Sequence, residues 1–186
     1  MLCKFVIYDL FMEGALEVFF VNSNFSDLEV DTVFDVVESL GYTPEDKGYI
    51  SLPRDSYSSE RSQYNAGMIL KYVSYLRKGK ALAVVKEDIY FQNLNFVFGI
   101  ASPTAKIALV SFVRLNPEFY GYPFDKDKYV IRIKKEIIHE LGHLEGLVHC
   151  NTSGCVMNFS NSISDVDLKS DRFCATCLKQ LGKSYY

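Results

Sequence analysis

The chain contains three histidines, and all of them fall within eleven residues, in the run His139-Glu140-Leu141-Gly142-His143-Leu144-Glu145-Gly146-Leu147-Val148-His149. This spacing points to one kind of chemistry. On a helix, His139 and His143 stand one turn apart and can aim their rings at a single ion, and neutral imidazole nitrogens at about 2.0–2.1 Å suit zinc. If the helix continued, His149 would lie about 15 Å further along its axis than His139 and could share no ion with it. The chain must therefore turn back, and Gly146 sits where a left-handed residue would stop the helix. Three protein ligands leave a fourth position for water, whose pKa on zinc falls to about 7. Glu140, next to the first ligand, can take that water's proton and pass it to a departing amine. The alternatives are a closed or vestigial zinc site, or a glutamate merely exposed on a helix face.

Four of the five cysteines follow closely. Cys150 adjoins the third histidine, Cys155 comes five residues later, and Cys174 and Cys177 form a Cys-x-x-Cys pair. Two close pairs of thiolates suit a tetrahedral all-cysteine zinc site, closed to water and therefore structural. Two disulfides, or thiols packed in a core, are the other readings. Met157, eight residues past His149, reads either as core filler or as a floor beneath the metal. Cys3 is left over and is expected to be a buried thiol.

These residues need elements to hold them. Val130, Ile133, Ile137, Leu141 and Leu144 recur at steps of three and four, which predicts a helix over 127–144. Its apolar stripe can pack on a sheet while His139 and His143 face a cleft. Ser26 and Glu29 have capping-box spacing at the start of a helix over 26–40 that Gly41 closes. A second helix is expected over about 60–77. Apolar runs predict strands at Phe5–Tyr8, Val18–Val21, Ala81–Val85, Asn95–Ile100 and Lys106–Val113, with 116–126 irregular. Beyond Gly146 the pattern reads as loops with a last short helix near 175–181. Alternating helices and strands imply an α/β fold with a mostly parallel sheet and one antiparallel edge.

The chain's 186 residues and 21.2 kDa fit one domain. We expect 1–146 to carry the sheet and active-site helix, and 147–186 to form a smaller lower part. A net charge of −3 offers no reason to bind nucleic acid or an anionic membrane. The N-terminus lacks the pattern of a secretion signal and no segment has the length of a membrane span, so a cytoplasmic setting is expected, where cysteines stay reduced.

Taken together, His139 to His149 followed by Cys150, Cys155, Met157, Cys174 and Cys177 resembles the archaemetzincins, peptidases of the metzincin clan. Arg61-Ser62-Gln63-Tyr64-Asn65, Leu94-Asn95-Phe96-Val97-Phe98-Gly99 and Asn158-Phe159-Ser160-Asn161-Ser162 agree with that family. The resemblance implies a twisted mixed sheet with helices and a small zinc-stabilised C-terminal part. It implies two zinc ions per chain: a catalytic one on His139, His143 and His149 with Glu140 as general base, and a structural one on Cys150, Cys155, Cys174 and Cys177. Met157 would be the methionine of the tight turn under the metal. Some metzincins carry a tyrosine two residues after that methionine, and Phe159 stands there instead. The expected partner is a peptide or small protein lying along an edge strand, with Asn95–Ile100 as the candidate. The alternatives are a non-catalytic zinc protein that binds a partner in the cleft, and a hydrolase of non-peptide substrates.

Overall fold

A computed structural model describes residues 12–22 and 24–182; the strand expected at Phe5–Tyr8, and Cys3, lie outside the described residues. In chain order the elements are β1 (Ala15–Val21), α1 (Asp27–Ser39), β2 (Thr43–Ile50), β3 (Tyr57–Ser58), β4 (Gln63–Asn65), α2 (Ala66–Leu76), β5 (Lys80–Val85), β6 (Ile89–Tyr90), β7 (Gly99–Ser102), β8 (Ile107–Ser111), α3 (Lys126–Leu144), α4 (Ile163–Leu168) and α5 (Ala175–Gln180).

The main sheet has the order β2-β1-β5-β8-β7, with β7 antiparallel to β8 and every other pair parallel. Its central strands are buried on both faces, as a parallel sheet between helices requires. Leu16, Val18, Phe20, Leu82, Val84 and Val110 face α1 and α3, and this core runs on without a break through α3 to Met157, Val166 and Phe173. Phe19, Val21, Ala83, Val85, Ile107 and Leu109 face the other way, onto Ile69, Leu70 and Val73 of α2. The period-two alternation of side chains along each strand makes this division.

The helix starts follow from capping. Ser26 and Glu29 form the expected capping box on α1, and Asp125 accepts from the Lys128 N–H at 2.9 Å to start α3. The second helix begins later than expected. Residues 60–65 form a turn and β4, and the Asn65 side chain caps α2 by accepting from the Met68 N–H. The strand expected at Asn95–Ile100 is displaced to Gly99–Ser102, because the carbonyls of Leu94 and Asn95 are taken by side chains rather than by a neighbouring strand.

Three features had no sequence expectation. Strand β2, TPEDKGYI, is an exposed edge with Pro44 and no apolar alternation, and it is held by parallel pairing to β1. The small sheet β3-β4-β6 consists of strands of two or three residues, too short to show a period. Helix α4, capped by a box between Ser162 and Asp165, buries only Val166 and so has no apolar stripe to reveal it.

Candidate metal centre and cleft

Helix α3 delivers His139, Glu140 and His143, and its end delivers His149. Gly146 adopts φ 93°, the Gly146 N–H donates to the His143 carbonyl at 2.9 Å, and the Leu147 N–H to that of Gly142 at 3.0 Å. That is the Schellman stop, which reverses the chain and brings His149 back over its own helix. The ring centroids of His139, His143 and His149 stand 4.6, 5.4 and 4.8 Å apart pairwise, and the nearest nitrogens, Nε2 of His139 and of His143, are 3.1 Å apart.

The donor set fits a metal of the zinc type. Two nitrogens at about 2.0–2.1 Å from one tetrahedral ion would be about 3.4 Å apart. His139 Nδ1 donates to the Val156 carbonyl and His143 Nδ1 to the Leu147 carbonyl, both at 2.8 Å. A carbonyl accepts only, so each Nδ1 carries the proton and each Nε2 turns a lone pair inward. Burial, and then the nearby Lys169 cation, hold His139 well below the usual imidazole range. His143 and His149 are lowered too, again chiefly by burial. Each shift favours the neutral form that binds metal.

Glu140 is buried, and its Oε2 has no hydrogen-bond partner among the described residues. Burial first, and then the Glu136 carboxylate one turn earlier, push its carboxyl well above the ordinary range, while Lys169 pulls the other way. Two glycines fix the helix that carries it. On one side, a Cβ at Gly99 would lie 2.6 Å from Glu140 Cγ and 2.8 Å from the Leu109 carbonyl oxygen, so only glycine lets β7 come this close. On the other, a Cβ at Gly142 would lie 2.5 Å from Met157 Sδ and 2.9 Å from Phe173. Met157 is fully buried, and its Sδ lies against Gly142, in the helix turn between His139 and His143.

Sequence reasoning missed several supporting groups. Lys169, buried at the end of α4, pairs with buried Glu136 at 2.8 Å and lies 3.4 Å from His139 Nδ1. A lone lysine after a short helix gives no sign of such burial. Glu145, unexplained by the motif, accepts from Tyr42 Oη and Lys80 Nζ and ties the end of α3 to the sheet. Gly99 stood in the sequence within Leu94–Gly99, which agrees with the family, and inside an expected strand, with no packing role assigned to it. Phe159 sets its ring edge-to-face against His149 at 5.0 Å, an apolar contact with no hydroxyl to offer.

The site lies in a cleft of about 680 Å³. One wall is residues 93–98 with β7, and the opposite rim is formed by Val148 and Phe159 to Asn161. Leu94, Val148 and Phe159 are 48%, 71% and 57% exposed, large apolar side chains left open at the rim of a cleft.

The four cysteines form a second cluster. The Sγ pairs Cys150–Cys174 and Cys155–Cys177 are each 3.7 Å apart, and all four Sγ lie within 4.8 Å of one another. A disulfide would need about 2.05 Å, whereas two sulfurs at about 2.3 Å from a tetrahedral ion stand about 3.8 Å apart. The arrangement excludes the disulfide reading and fits a metal. Burial raises the Cys174 thiol, but hydrogen bonds led by the Cys177 N–H outweigh it and bring it down to about 6. The two clusters meet at the His149–Cys150 peptide, and the Cys150 N–H donates to the Met157 carbonyl at 2.9 Å.

Comparison with known proteins agrees with this geometry. The sequence pattern of peptidase family M54 matches residues 55–183. The chain is 52% identical to the archaemetzincin of Methanocaldococcus jannaschii over 132 residues, 71% of this chain and 73% of that one. Its fold is similar to the crystal structure of a zinc-dependent peptidase from Methanocorpusculum labreanum, with TM-score 0.81 at 28% identity, covering 89% of this chain and 99% of the other. It is also similar to that of the archaemetzincin of Methanopyrus kandleri, with TM-score 0.76 at 34% identity, covering 96% and 97%.

Proposed function

The chain belongs to peptidase family M54, that of the archaemetzincins, and is a zinc metallopeptidase; from this premise we propose that it hydrolyses peptide bonds with Glu140 as general base and His139, His143 and His149 as ligands of the catalytic zinc. When bound there, zinc supplies a Lewis acid that polarises a carbonyl and acidifies water. Glu140 Oε2, unpartnered and buried beside three convergent imidazoles, carries the proposal. It takes the proton of the attacking water and delivers it to the amine that leaves, so one carboxylate serves as base and then as acid. The Val156 and Leu147 carbonyls hold two of the imidazoles in register through the cycle. Packing of α3 against Gly99 keeps the Glu140 side chain from swinging aside.

The substrate is a peptide or small protein. Strand β7 pairs with β8 on one side and with no strand among the described residues on the other, so its free edge can accept an extended peptide main chain across the cleft. Among the described residues, those from 147 onward would form the lower part under the site, with a second, structural zinc on Cys150, Cys155, Cys174 and Cys177, and those up to 146 the upper part.

The test is digestion of a mixed peptide library by zinc-loaded protein and by Glu140→Ala. The wild type should cleave, and the variant should be slower by about 10²–10⁴-fold at equal zinc content. Cleavage by both would remove Glu140 from the mechanism. Cleavage by neither, with zinc bound, would favour a partner-binding role.

A further inference from the structure

Two of the sequence motifs that the metal centre does not use meet in space. Arg61, in the turn before β4, donates from Nη2 to the carbonyls of Leu94 at 2.6 Å and Asn95 at 3.1 Å, and from Nε to Gln63 Oε1 at 3.1 Å. The buried Gln63 donates from Nε2 to the same Asn95 carbonyl at 2.9 Å and to Asp88 Oδ2 at 3.0 Å. Asp88 in turn accepts both arms of Arg114, whose guanidinium lies 4.1 Å from the Phe96 ring. The Arg61 guanidinium itself rests 4.3 Å from the Tyr90 ring.

What these groups hold is the wall of the cleft, 93–98. That segment lies in no strand; Phe96 to Phe98 pack against the core and bond to Ile89 and Ser111, but Asn93, Leu94 and Asn95 are exposed and have little packing of their own. The order of this exposed end rests on charge-assisted hydrogen bonds, which are stronger than neutral ones; Arg61 Nη2 reaches both carbonyls while Nε is held by Gln63. The wall runs directly into Gly99, where β7 has no clearance against Glu140. A displaced wall would therefore displace the strand edge on which a peptide pairs, without touching a metal ligand.

We propose that Arg61 and Gln63 are positioning residues for substrate: they latch the wall of the cleft through the Leu94 and Asn95 carbonyls and so set the register of β7 along which the peptide lies. The proposal rests on the peptide-binding reading of the cleft but not on catalysis.

The experiment uses the full chain loaded with zinc. Binding of an intact cleavable peptide is measured by calorimetry in Glu140→Ala and in Glu140→Ala with Arg61→Ala, together with amide exchange across 93–102, zinc content and melting temperature. Arg61→Ala should weaken peptide binding about tenfold, the effect of losing one charge-assisted contact. It should also speed exchange in 93–102 and leave zinc content and melting temperature in place. Arg61→Lys, which keeps the charge but not the fork, should recover part of the affinity. With Glu140 restored, Arg61→Ala should raise KM and leave kcat within about twofold. Unchanged affinity and exchange would overturn the proposal, as would affinity lost only in step with melting temperature. Peptide that binds in this pattern but is never cleaved by the wild type would sink the peptidase reading and leave the latch standing.

Discussion

The histidine and cysteine clusters share a peptide bond yet are built on opposite plans. The histidines come mainly from one rigid element, α3, and two of them are oriented by carbonyls from the chain that turns back beneath it. One side of the cluster opens on the cleft. The cysteines come from two loops and the start of the short helix α5, and their neighbours include other sulfurs and backbone amides. That region has no strand among the described residues, and α4 and α5 have six residues each. The difference separates two demands on a metal. On the proposed reading, the histidines would offer their ion an open position in a protein that stands without it, whereas the fold of the cysteine segment would depend on its ion.

The contrast can be broken most directly by removing one ligand from each cluster. If the four cysteines hold the proposed structural zinc, Cys177→Ser should destabilise the protein by more than about 4 kcal/mol and lower the melting temperature by about 10 °C. His143→Ala should abolish peptide cleavage and shift melting far less. Differential scanning calorimetry with zinc analysis decides it; equal losses would mean that both sites hold the fold.

A smaller effect sharpens the contrast from the side of the rigid element. Gly142→Ala drives a methyl into Met157 Sδ and Gly99→Ala into Glu140 and a backbone carbonyl, each costing about 1–3 kcal/mol by overpacking. Both should lower activity more than stability, because both shift Glu140 or its neighbours. Urea unfolding and peptide turnover on the same preparations would show it, and full activity in Gly99→Ala would disprove the close packing.

A last effect, of similar size in stability but without loss of activity, lies away from both clusters. Buried Glu29 accepts from Tyr129 Oη at 2.7 Å and Lys86 Nζ at 3.0 Å. Burial raises its carboxyl, but these partners and the Ser26 N–H outweigh burial and hold it below its usual value. A depressed folded pKa means that its stabilisation is complete above the unfolded value of about 4.3 and is lost as pH falls through the lower folded one. Glu29→Gln should therefore cost about 1–3 kcal/mol at pH 7, and the gap to wild type should close as the solution is acidified below about pH 4. A gap independent of pH would show that the carboxylate charge plays no part.

The residues of both clusters were legible in the sequence because coordination imposes local spacing: four residues for one helical turn, a glycine for the reversal, paired cysteines. Helices α1 and α3 were legible from their caps and stripes. Strands β1, β5 and β8, buried on two faces, showed as apolar runs. What escaped was held by contacts distant in sequence. Pairing with β1 alone makes β2 a strand, and Arg61 and Gln63 take the Leu94 and Asn95 carbonyls that a strand over 95–100 would have paired. The Lys169–Glu136 pair spans 33 positions and joins two elements that only the fold brings together. Glu145 had no role until Tyr42 and Lys80 arrived from the sheet.

The two glycine contacts on α3 have a consequence for how such a protein could diversify. With Gly99 above and Gly142 below, the helix has no spare thickness on either side, so it can neither roll nor thicken to suit a new ligand. The rim residues Leu94, Val148 and Phe159 are under no such restriction. Change is thus confined to a replaceable margin around an invariant kernel, and selectivity can be rewritten there while the reacting groups keep their places.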